Sequence, residues 1–143
     1  MLDFSKKIPI ISEYMQLRLR SKDALRPAAL IGLGNSDIPA LVDTGSDRTL
    51  CFLEPFGRKD GILLEDFEGE PEVLHGMFGS GFAWERVITF EFGGKEYTLP
   101  VLWLTQRYDP ESDYPLILGR DFLSKFDIVL RPKEGKVYFY EAT

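Results

Sequence analysis

Ala40-Leu41-Val42-Asp43-Thr44-Gly45-Ser46-Asp47 is the stretch that decides how this chain is read. An apolar run delivers a carboxylate, Asp43, straight into a small polar turn. Burying that carboxylate beside a strand is costly unless the turn solvates it. Gly45 lets the backbone bend tightly and come close to a ligand, while Thr44 and Ser46 set hydroxyls beside the acid. Asp and Gly are also what an ordinary strand-ending turn uses, so the segment takes its meaning from its surroundings.

Those surroundings read as an all-β chain, with short apolar runs punctuated by Gly, Pro, Asn and Asp. Residues 14–20 alternate, with Met15, Leu17 and Leu19 on one face and Gln16, Arg18 and Arg20 on the other, which predicts a half-buried strand. Residues 28–33 and 38–42 flank the turn Gly34-Asn35-Ser36-Asp37 and predict a hairpin. A second hairpin is expected from residues 87–92, the turn Gly93-Gly94 and the return through residues 97–104. Residues 105–114 read as a polar loop, 116–118 as a buried strand, and 120–126 as one short helix after Gly119. Residues 128–130 and 137–140 flank Lys133-Glu134-Gly135 as a terminal hairpin. Leu41-Val42-Asp43-Thr44-Gly45 also has an echo in Ile117-Leu118-Gly119-Arg120-Asp121, an apolar strand running into Gly and polar residues, as a pseudo-twofold fold would have it.

Composition narrows the function classes. The 143 residues suit one domain, and 44% apolar residues with 13% aromatics can fill a core. A net charge of −6 argues against a nucleic-acid partner, whose phosphates call for excess Lys and Arg. With one cysteine, Cys51, no intrachain disulfide can form, and its apolar neighbours make it a buried inert thiol. One Cys and one His, His75, offer no metal-ligand spacing, so neither metal nor cofactor is expected. His75 reads as an exposed loop residue. No apolar run approaches membrane-spanning length and the start shows no leader pattern, so a cytoplasmic protein without a membrane partner is expected.

From about residue 14 to 130 the chain resembles the retropepsins, the viral-type aspartic peptidases. Their active-site signature, two apolar residues before Asp-Thr/Ser-Gly-Ala/Ser, is matched by Leu41-Val42-Asp43-Thr44-Gly45-Ser46. Their second signature is matched by Ile117-Leu118-Gly119-Arg120-Asp121-Phe122-Leu123. Between the two, His75-Gly76-Met77-Phe78-Gly79-Ser80-Gly81-Phe82 occupies the place of the Gly-rich flap. The resemblance implies a closed β-barrel of the acid-protease fold across 1–143, with a terminal hairpin or interface segment at about 128–143.

It also implies roles. Asp43 would be the catalytic carboxylate, with Thr44 and Gly45 beside it in the signature. Gly45, Asp47, Met77, Phe78, Gly79, Ser80 and Gly81 would bind an extended peptide substrate. Thr44 would lock two active-site loops together, Arg120 would pair with Asp47, and Ser46 and Asp121 would support the loop. Water activation of this kind needs two carboxylates, and no second Asp-Thr-Gly or Asp-Ser-Gly is present, since Asp60-Gly61 lacks the middle residue. The implied enzyme is therefore a homodimer whose two Asp43 side chains share a proton. The alternative is a retropepsin-like dimerisation or protein-binding module without catalysis. The termini depart from compact retropepsins, in which they interleave between copies. Both residues 8–11 and residues 137–140 are candidates for that part.

Overall fold

The computed structural model describes residues 7–19, 22–34, 36–52, 71–76, 79–104 and 116–142. The strands are β1 (Ile10–Glu13), β2 (Met15–Leu19), β3 (Lys22–Arg26), β4 (Ala28–Leu33), β5 (Ser36–Val42), β6 (Leu50–Phe52), β7 (Glu72–Gly76), β8 (Gly79–Phe92), β9 (Lys95–Leu104), β10 (Leu116–Leu118), β11 (Phe126–Arg131) and β12 (Lys136–Glu141). A four-residue helix, α1 (Arg120–Leu123), lies between β10 and β11.

The strand order β4-β5-β10-β6-β9-β8 closes on itself where Gly32 of β4 meets Glu91 of β8, giving a mixed six-strand barrel. β10 runs parallel to β5 and β6 parallel to β9, and the remaining pairs are antiparallel. The barrel is built on alternation. Along β8, Ile88, Phe90 and Phe92 point inward while Val87, Thr89 and Glu91 are exposed. Gly93 and Gly94, at φ 61° and 82°, take the left-handed positions that a two-residue hairpin turn demands, and β9 returns in register.

Inside, Phe90, Phe92, Tyr97, Phe122, Phe126 and Phe139 pack largely edge to face, the closest ring centroids being 4.9 Å apart for Phe92 and Phe139. Phe122 and Leu123 bring α1 into this core. Of the two candidate terminal segments, residues 10 and 11, in β1, and residues 137–140, in β12, fall in one sheet of order β1-β12-β11, while residues 8 and 9 precede it.

Several boundaries differ from expectation. The helix stops at Leu123 rather than Phe126, because Ser124 and Lys125 close a turn and Phe126 begins β11 opposite Glu141. β5 begins at Ser36, already opposite Leu33, so the first hairpin turn is tighter than the four residues expected. The polar loop at 105–114 lies outside the described residues.

Candidate active site

Asp43 follows β5, and its position is set from the neighbouring strand. The two echoing segments lie side by side and parallel, Leu41 against Ile117 and Val42 against Leu118. Asp43 N–H continues this ladder by donating to the Leu118 carbonyl at 3.1 Å. The loop then folds onto the acid: Gly45 N–H donates to Asp43 Oδ1 at 2.9 Å and Ser46 N–H to the Asp43 carbonyl at 3.2 Å. Arg120 N–H donates to the Ser46 carbonyl at 2.8 Å, so the loop is tied at its start to β10 and at its middle to α1. Asp43 is half-buried, whereas Thr44, Gly45 and Asp47 are exposed.

Behind the loop stands a residue that the sequence reading missed. Thr49 is fully buried, the one buried polar side chain among the described residues. Its Oγ1 donates to Asp121 Oδ1 at 2.7 Å and accepts from Gly119 N–H at 3.1 Å, while its own N–H donates to Asp121 Oδ2 at 3.0 Å. One threonine thus joins the end of the Asp43 loop to the second signature. The available signal was a lone hydroxyl directly before the apolar run Leu50-Cys51-Phe52. Gly119 is required by space: a Cβ there would stand 2.5 Å from the Arg48 carbonyl carbon. Ser46 Oγ donates to the Arg48 carbonyl at 2.7 Å, which places Ser46 as a brace within the loop.

The expected pairing of Arg120 with Asp47 is not what the structure has. Among the described residues, no ion pair joins these two. Arg120 opens α1 with its side chain exposed and holds the loop through its backbone N–H. The guanidinium near the signatures belongs to Arg48, 2.9 Å from Glu85 and 3.8 Å from Asp121. Asp121, turned toward Thr49 and Arg48, is the acidic side chain that supports the loop.

β7 and β8 form an antiparallel hairpin in which Gly76 faces Gly79, His75 faces Ser80 and Leu74 faces Gly81. The expected substrate residues Gly79, Ser80 and Gly81 therefore lie on a strand, and Met77 and Phe78 fall outside the described residues. Leu41 and Ile117 lie on the face of β5 and β10 turned away from the main core, where Leu17, Ala28 and Met15 pack with them. No group of three His, Cys, Asp or Glu able to hold a metal occurs among the described residues.

No protein-family model matches the chain, and no curated protein gives a significant match. Solved structures do match. The EIAV protease, complexed with the inhibitor HBY-793, aligns with a TM-score of 0.51 at 20% identity over 69% of this chain and 86% of that one. A retropepsin-like aspartic protease from Rickettsia conorii aligns with a TM-score of 0.57 at 17% identity over 78% of this chain and 87% of that one. The fold is that of the retropepsin-like aspartic proteases.

Proposed function

We propose that the protein is an aspartic endopeptidase that works as a homodimer, each copy contributing Asp43 to one site. The observation that carries this reading is the anchoring of Asp43: a half-buried carboxylate held to β10 and α1 by backbone bonds, inside a retropepsin-like barrel. One anchored carboxylate per chain is half of an acid–base pair. The twofold copy supplies the other half.

With two such carboxylates side by side, both cannot ionise easily, and the pair holds one proton. The ionised Asp43 takes a proton from water as its oxygen attacks the scissile carbonyl. The protonated Asp43 gives its proton to the carbonyl oxygen, and a tetrahedral diol results with no bond to the protein. A proton returned to the leaving nitrogen then breaks the C–N bond. The Thr44 hydroxyl has no hydrogen bond among the described residues of its own chain, which suits the loop-to-loop lock between copies. Extended peptide segments are the fitting substrate, because a strand laid between the β7–β8 hairpin and the barrel floor can pair through its backbone. An apolar preference beside the cut follows from the apolar residues of that hairpin, of which Phe82 is exposed.

The test is cleavage of a mixed peptide library from acidic to neutral pH, with Asp43→Asn beside the wild type, a chelator and a statine-type mimic of the diol. Cleavage should be stronger in acid, blocked by the mimic, unmoved by chelator and absent from Asp43→Asn, since an amide cannot take the water's proton. Cleavage that persists in the Asn variant, or that stops with chelator, contradicts the mechanism. A folded dimer that cleaves nothing leaves the binding-module alternative.

A further inference from the structure

The sheet β1-β12-β11 has two edges, and they are not equivalent. In an antiparallel ladder, residues alternate between bonding the strand on one side and the strand on the other. Ala142 N–H donates to the Lys125 carbonyl at 3.0 Å, in register with the β11–β12 pairing. Asp127, Val129 and Arg131 therefore bond toward β12, and the N–H and C=O groups of Phe126, Ile128 and Leu130 lie along the outer edge of β11. Tyr14 N–H donates to the Gly135 carbonyl at 2.8 Å, which by the same alternation turns residues 11 and 13 to the outer edge of β1. Residue 9, directly before β1, is proline and has no N–H with which that short edge could be lengthened. No proline interrupts residues 126–131.

The open edge is also complementary to itself. Turned antiparallel about Val129, the segment Asp127-Ile128-Val129-Leu130-Arg131 sets Asp127 opposite the partner's Arg131 and Ile128 opposite the partner's Leu130. Opposite charges directly across a ladder stabilise it, and like charges destabilise it. Turned about Ile128 instead, Asp127 would face the partner's Val129, and Arg131 would come opposite the partner's Lys125, a like charge just before β11. The first register also accounts for Leu130, a large apolar side chain left 46% exposed in one chain, beside Ile128 that packs on the core.

We infer that the second copy joins edge to edge along β11, antiparallel and centred on Val129, so that the terminal sheets of the two copies become one. This rests on the proposed function in that the site needs a second Asp43. It differs from interleaved termini, because β1 and β12 already pair within their own chain. The joined strand is coupled to the site: β11 follows α1, whose first N–H holds the Ser46 carbonyl.

The test uses the full chain and reads assembly, not activity. Sedimentation velocity of Asp127→Arg, Arg131→Asp and the double reversal compares dimer dissociation with the wild type. Each single reversal should weaken the dimer about tenfold, and the double reversal should restore it. In a second arm, Val129→Cys should form an interchain disulfide on mild oxidation, because facing non-bonded residues of an antiparallel pair stand within disulfide reach. The native Cys51 is buried and cannot confuse the result, and Ile11→Cys on the β1 edge should stay reduced. Single reversals that dimerise like the wild type, a double reversal that fails to restore, or cross-linking through Ile11→Cys in place of Val129→Cys would overturn the inference. A dimer joined through β11 that cleaves no peptide would retire the peptidase reading and leave this one standing. A peptidase joined elsewhere would do the reverse.

Discussion

Thr49 satisfies both a backbone N–H and a carboxylate of the second signature with a single hydroxyl, so its loss leaves buried partners without replacement. Thr49→Val should lower stability by about 1–3 kcal/mol in a urea titration, whereas Thr49→Ser should keep most of it. Cys51 gives a pH-dependent counterpart. Complete burial pushes its thiol pKa far up, while in the unfolded chain the thiol ionises near the ordinary value of about 8.5. The unfolded state therefore sheds a proton that the folded state keeps, and stability is full below about pH 8.5 and falls as pH rises above it. Thermal melts from pH 7 to 10 should show this decline, and Cys51→Ala should lessen it. Asp43 could be singled out in the sequence because an acid after an apolar run is chemically conspicuous. Thr49 could not, because a threonine before an apolar run is common and only the folded chain shows what its hydroxyl meets.

At the scale of elements, the Gly119 turn is where β10 passes into α1 while the Arg48 backbone crosses behind it. Gly119→Ala must push two backbones apart, and a loss of about 1–3 kcal/mol should appear in denaturant unfolding, with cleavage falling as the Asp43 loop shifts. Elements with strong local signals were legible. The β8–β9 hairpin shows its alternation and its Gly93-Gly94 turn in the sequence, and the echo of residues 41–45 in 117–121 corresponds to two parallel neighbouring strands. β3 and β6 were not legible. Lys22-Asp23-Ala24-Leu25-Arg26 has the charge of a surface loop and becomes a strand only by pairing with β2, and Leu50-Cys51-Phe52 is too short to show a period. Arg120 was assigned a side-chain partner by resemblance, whereas the geometry gives the loop its backbone and turns Asp121 inward.

For the whole molecule, barrel closure depends on the meeting of β4 and β8, residues far apart in the chain, which leaves no local trace in the sequence. The resemblance to retropepsins supplied the closed architecture that periodicity alone did not. In the proposed enzyme each chain holds half of a site, and mixed assemblies test this most directly. Wild-type and Asp43→Asn chains are mixed in known proportions, allowed to exchange partners, and assayed for peptide cleavage in acid. If a site needs Asp43 from both copies, activity falls as the square of the wild-type fraction. Activity that falls in simple proportion to the wild-type fraction would mean that one chain suffices, and would contradict the account, as would cleavage by the all-Asn sample or none by the all-wild-type one.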